Sequence, residues 1–167
     1  MHSIGYRANS LLTLAVTILA FLCIFASFSD TLSRPNPTVD IKVVSFDGFM
    51  KSKDGDDGVS MTLKVEANLS SLFTWNTKQV FAFVAAEYET PQNSVNQISV
   101  WDHIIESKKD ADIQVTFRNK YPIFDQGSNL RGTEFNLTLH WHVMPKTGMM
   151  FTGLSIIPGH RFPDKYI

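Results

Sequence analysis

The sequence predicts an all-β domain, an antiparallel β-sandwich of immunoglobulin-like form, behind a single N-terminal transmembrane helix. Three observations carry this. Leu11 to Phe28 is an 18-residue run without charge, proline or glycine. Apolar and polar residues alternate strictly over Val59–Leu69 and again over Thr133–Val143, the period of a strand with one face on a core. Beyond the first run no long segment repeats at the helical period, and turn signals separate short apolar stretches, the pattern of a sandwich.

Taken in order, residues 1–10 form a short arm that carries Arg7 and no acid, with His2 adding partial charge. At about 1.5 Å per residue the run at 11–28 spans about 27 Å, close to the hydrocarbon thickness of an endoplasmic reticulum bilayer. A helix satisfies its backbone amides in lipid. The basic arm on one side and Asp30 on the other place the N-terminus in the cytosol and the body outside the cell or in a lumen. A cleavable signal peptide is the competing reading. The apolar run is too long for it, and bulky Phe28 stands where cleavage needs a small residue.

Residues 29–38, with Pro35 and Pro37, read as a stiff tether, and 39–167 as the sandwich domain. Val39, Ile41 and Val43 open a first strand. Asp47-Gly48 and the polar run Lys51–Gly58 read as loop. The acids there lack the ligand spacing and closing Glu of a calcium loop. Val59, Met61, Leu63, Val65, Ala67 and Leu69 face inward, against Ser60, Thr62, Lys64, Glu66 and Asn68. A break with Phe73 and Trp75 follows. Val80–Ala86 is apolar on both faces, which requires a central position or a cover. A turn at Pro91–Ser94, strands around Ile98–Ile105 and Ile113–Phe117, and a turn at Asp125-Gln126-Gly127 come next. Phe135, Leu137, Leu139, Trp141 and Val143 point inward, with His140 and His142 on a solvated face. Met149–Ile157 is the last strand and His160–Ile167 a tail.

With 15 Lys and Arg against 16 Asp and Glu, the chain has no basic field for nucleic acid. Its one cysteine, Cys23, lies in the apolar run, so the body has no disulfide, thiolate zinc site or catalytic thiol. His140 and His142 share a strand face but need a third ligand, and nothing brings His103 or His160 to them. No Gly-x-Ser-x-Gly and no activated serine is present, and the body is too short for a glycosyltransferase. We expect no catalytic residue, cofactor or metal. Two sequons, Asn68-Leu69-Ser70 and Asn136-Leu137-Thr138, put their asparagines on polar strand faces and are N-glycosylation candidates.

Residues spread over the whole chain give it a resemblance. They are Arg7–Ser10 before the anchor, Phe73-Thr74-Trp75-Asn76-Thr77-Lys78-Gln79, Ala86-Glu87-Tyr88, Asn96-Gln97, Trp101-Asp102, and Lys120-Tyr121 with Asp125-Gln126-Gly127. Leu139–Pro145 and Phe162–Tyr166 complete the set. The chain resembles the signal peptidase complex subunit 3 family. The resemblance implies a glycosylated, single-pass type II accessory subunit of the endoplasmic reticulum signal peptidase, with no active site of its own. Its implied partners are a catalytic serine-peptidase subunit, two small accessory membrane subunits, the endoplasmic reticulum membrane and, through the complex, signal-peptide-bearing preproteins. Members of that family carry their sequon slightly upstream in the strand that here holds Asn136. The expected partner interface is Phe73, Trp75, Lys78, Gln79, Phe81, Phe83, Trp101 and Asp102. A free-standing membrane-anchored ectodomain that binds a ligand or receptor is the alternative.

Overall fold

The computed structural model describes residues 3–127 and 130–167; His2, counted above in the flanking charge, lies outside them. Helix α1 runs Ile4–Thr31, capped at its start by Ser3, whose side chain accepts from the Tyr6 amide. Among the described residues it is the one helix long and apolar enough to cross a membrane. It continues past Phe28, so Ser29, Asp30 and Thr31, assigned above to the tether, are helical. Within α1, Thr13 and Thr17 return their hydroxyls to the carbonyls four residues back, which hides their polarity from an apolar surround.

Eight strands follow among the described residues: β1 (Thr38–Lys51), β2 (Asp57–Asn68), β3 (Thr77–Tyr88), β4 (Asn96–Ile105), β5 (Asp112–Arg118), β6 (Ile123–Asp125), β7 (Glu134–Pro145) and β8 (Phe151–Arg161). They make two antiparallel sheets. In the first, β2 pairs with β1 on one side and with β5 and then β6 on the other; the second runs β4-β3-β7-β8. The inward residues of both pack into one core. Val59, Met61, Leu63, Val65, Ala67 and Leu69 from the first sheet meet Val80, Val84, Leu137 and Leu139 from the second, all essentially inaccessible to water. Burying such side chains contributes about 1.5–3 kcal/mol each.

Three expectations need correction. Asp47-Gly48 is strand, not loop. β1 passes through it with irregularities at 43/45 and 46/48, and the Asp47 carboxylate pins the bulged segment by accepting from Ser45 Oγ at 2.8 Å and Thr62 Oγ1 at 2.6 Å. Those two hydroxyls hold the Asp47 carboxyl below the ordinary range. The last strand continues through Pro158 to Arg161, which an edge strand tolerates because that side of its backbone needs no donor.

Nor is the C-terminus a loose tail. Phe162 is buried and stacks on Phe135 with ring centroids 4.2 Å apart. Tyr166 donates to buried Asp57 at 2.9 Å, and Ile167 and Phe49 exchange backbone hydrogen bonds. The small strand β6 was also not foreseen: it is three residues long, below what alternation can show.

Candidate functional site: the outer face of the second sheet

Directly paired residues of neighbouring strands project to the same side, so the register defines what each sheet shows on the side away from the core. On the first sheet, Asp40, Lys42 and Ser45 of β1 lie beside Glu66, Lys64 and Thr62 of β2, and these beside Gln114, Thr116 and Arg118 of β5. Every one is polar.

The second sheet differs. Its outer side carries the rows Ile104–Phe81–His142–Thr152, Asp102–Phe83–His140–Leu154 and Ser99–Ala85–Thr138–Ile156, read across β4, β3, β7 and β8. Phe81 and Phe83 are half-buried, while Ile104, Leu154 and Ile156 are 49%, 52% and 53% exposed. β3 is therefore a central strand that is apolar on both faces, and its outer residues sit in a continuous apolar patch.

The two imidazoles are part of that patch rather than of a solvated face. His140 stacks on Phe83 with centroids 4.7 Å apart and planes 6° from parallel; His142 stands edge-on to both phenylalanines. His140 Nε2 lies 2.9 Å from Gln97 Nε2 and 3.4 Å from Glu87 Oε1, and Gln97 donates to Glu87 at 2.8 Å. This polar cluster closes the patch at its end remote from α1. Among the described residues no group of three or more His, Cys, Asp or Glu side chains could hold a metal. Thr138 Oγ1, between Ala85 and Ile156, is buried and has no hydrogen-bond partner among the described residues.

The residues singled out from the sequence separate into three places. Gln79, Phe81, Phe83 and Asp102 share this outer face. Asp102 accepts from Lys120 Nζ at 2.8 Å, and Gln79 donates to Met144 Sδ at 3.2 Å. Trp101 lies on the core side of β4, stacked on Phe117 at 5.5 Å and His103 at 5.8 Å. Phe73 likewise packs against the core from the loop before β3. Trp75 is 66% exposed at the base of the domain, and Lys78 is exposed at the irregularity where β3 starts.

Ile104, Leu154, Ile156 and the two histidines were missed as members of this face. Their parity is legible, but which strand lies beside β3 is not. The sequons fall on opposite sides. Asn68 is exposed at the end of β2 on the polar face, accepting from the Ser70 amide at 3.1 Å. Asn136 is half-buried on the apolar side, opposite Glu87.

The base of the domain is fastened to α1. Asp30 accepts from Thr74 Oγ1 at 3.0 Å and from Asn76 Nδ2 at 2.5 Å. Asn76, 1% exposed, also donates to the Thr147 carbonyl at 2.9 Å and accepts from the Thr147 amide. One buried amide thus joins helix, β3 and the turn between β7 and β8. Asn76 and Thr74 lie inside one of the motifs that carry the resemblance.

Residues 1–165 match the model of a family described as signal peptidase subunit. A protein of Oryza sativa subsp. japonica is 38% identical over 141 residues, 84% of this chain and 82% of its own length. One from Dictyostelium discoideum is 32% identical over 100% of this chain and 98% of its own, and one from Homo sapiens 32% identical over 99% and 97%. All three are called signal peptidase complex subunit 3.

Proposed function

The chain belongs to the signal peptidase subunit family, and from that premise we propose how it serves as a subunit of the signal peptidase complex. Its role there is accessory, not catalytic: the complex removes signal peptides, and this subunit stabilises and positions the subunit that cuts. In our reading α1 crosses the endoplasmic reticulum membrane once, N-terminus cytosolic, and the sandwich stands in the lumen.

The outer face of the second sheet, around Phe81, Phe83, Ile104 and Leu154, docks on the lumenal part of the catalytic serine-peptidase subunit. The contrast between the two outer faces carries this assignment. A domain that met only water would have mainly polar residues on both, as the first sheet has over β1, β2 and β5 apart from the Met50–Phe124 end, since exposed apolar patches of this kind mark interaction sites. Phe81 and Phe83 also have the character of interface anchors: aromatic, central and already half-fixed by His140 stacked on Phe83 and His142 edge-on to both. Asp102, tied to Lys120, belongs to the polar rim.

The same orientation puts both sequons in the lumen, with Asn68 free on the polar face. Substituting Asn68→Gln and Asn136→Gln singly and reading the mobility shift after deglycosylation assigns the modified site.

The decisive experiment is affinity isolation of the N-terminally tagged chain from digitonin-solubilised microsomes, followed by a preprotein cleavage assay. We expect cleavage together with a serine-peptidase subunit, and loss of both for Phe83→Asp. A lone, inactive chain under conditions that keep the peptidase intact would overturn the proposal in favour of a free-standing ectodomain.

A further inference from the structure

The turn between β7 and β8 lies alongside the apolar part of α1. Gly148, at φ +102°, comes so close to the helix that a β-carbon added there would fall 2.5 Å from Ser27 Oγ and 3.3 Å from Ser27 Cα. Only glycine fits this approach and this backbone. Ser27 belongs to the charge-free run that ends at Phe28. The helix itself records the neighbour. From Ile4 to Leu22 every residue of α1 is exposed, but, besides Ser29, the residues Cys23, Ala26, Ser27 and Asp30 are half-buried. Their spacing of three, four and seven places them on one helical stripe. Cys23 lies about 6 Å further along the axis than Ser27, at 1.5 Å per residue.

What the turn shows at that depth is apolar. Met149 is 77% and Met150 50% exposed, and Trp75 is 66% exposed on the adjoining loop. Lys146, at the start of the turn, donates to the Trp75 carbonyl at 3.0 Å. Two flexible apolar side chains, an indole and one lysine make the composition that settles at a bilayer surface. The thioethers and indole enter the boundary of the acyl region, and the ammonium stays with the headgroups.

We propose that residues 146–150 and Trp75 form a second membrane contact, a foot that rests in the lumenal headgroup–acyl boundary beside the helix. The occupant is lipid, because the turn lies level with a helix segment that has lipid around it. The proposal rests on α1 spanning the membrane. The foot gives the domain two points of support on the bilayer, which one helix cannot supply.

The test uses the assembled complex in liposomes. Single cysteines at Met149→Cys, Ala20→Cys and Gln92→Cys are made in a Cys23→Ser background and labelled with an environment-sensitive dye. Gln92 is exposed in the turn after β3, at the opposite end of the sandwich from Thr77 and α1. We expect a nitroxide on the upper acyl chain to quench most of the emission at 149, one near the chain end to quench that at 20, which lies at the middle of the apolar run, and aqueous iodide to quench only the label at 92. A label at 149 open to iodide would overturn the foot while quenching at 20 still upholds the span. A label at 149 shielded from both quenchers would overturn it by making the occupant a protein subunit. Failure of the lipid quencher at 20 would overturn span and foot together.

Discussion

The two outer faces of the sandwich have the same architecture and opposite chemistry. Both are flat sides of four-stranded antiparallel sheets, and both sheets send their other side into one core. The first shows Asp40, Lys42, Lys64, Glu66, Gln114 and Arg118, with Met50 and Phe124 at one end; the second shows Phe81, Phe83, Ile104, Leu154 and Ile156 around two imidazoles at its centre. The fold requires only the inward residues to be apolar. What a sheet carries on its other side is free to serve something else. Apolar residues where stability does not ask for them are therefore the clearest trace of function in a protein without an active site.

The largest expected effect tests whether the sheets differ only on their outsides. Leu63→Ala in β2 and Leu137→Ala in β7 each remove a fully buried side chain, and each is expected to cost about 2–5 kcal/mol. Denaturant melts of the protein in detergent should show both losses. A mild loss for Leu137 alone would mean that the second sheet is held by its partners rather than by the core.

Next comes the docking face itself. Phe83→Asp should weaken capture of the other subunits by about 30-fold, the equivalent of about 2 kcal/mol at a central aromatic anchor. Lys64→Asp, on the polar face, should leave capture unchanged. Quantifying co-purified subunits at equal expression separates the two, and equal losses would abolish the distinction drawn between the faces.

A smaller effect tests an inward polar contact at the end of the sandwich remote from α1. Tyr88 donates to Asp125 at 3.2 Å, and burial first, then the Asp125 carboxylate, pushes its phenol far up the scale. Tyr88→Phe removes the donor and should cost about 1.5 kcal/mol, the lower range for a hydrogen bond to a charged group. An unchanged melting temperature would mean that water replaces the phenol there.

The smallest effect is one of pH. His160 lies on the core side of β8, its ring 5.5 Å from that of Phe135 and its Nε2 buried. Burial holds its pKa below 6.5, so folding prefers the neutral ring. The stability it contributes is complete above pH 6.5 and is lost as pH falls through 6.5 toward the lowered value. His160→Gln should flatten the fall in melting temperature between pH 7 and 5. An equally steep fall in the variant would assign that pH dependence to other groups.

Much of this molecule is legible in its sequence, and what is not has a physical reason. The helix, β2 and β7 announce themselves because period and burial agree over ten residues or more. The inward residues of β2 from Val59 to Ala67 follow parity, whereas Asp57, read as part of the polar loop, is the strand's first residue and fully buried. The apolar double face of β3 was visible in Val80–Ala86, but its neighbours were not: strand order depends on contacts between residues far apart in the chain. His140 and His142 were assigned to solvent since parity gives a side, not what stands beside it. The continuation of β1 through Asp47-Gly48 was hidden because a bulge and a turn use the same residues. The closing of the C-terminal segment onto Phe49 and Asp57 has no local signal at all. Among the candidate interface residues, Phe81, Phe83, Gln79 and Asp102 share one surface, whereas Trp101 and Phe73 reinforce the core.

The joint at Asp30 and Asn76 makes helix and sandwich one lever. A span of fixed length meets a bilayer of altered thickness by tilting, and with a hinge between them the domain would stay upright. Here the carboxylate of the last helical turn is held by two side chains of the β3 loop, so the tilt is transmitted. At the far end of strands about 40 Å long, from some 12 residues at about 3.3 Å each, a tilt of about 10° swings the domain tip by about 7 Å. If α1 spans the membrane as proposed, the thickness of the bilayer thereby becomes a mechanical input to the position of the sandwich domain.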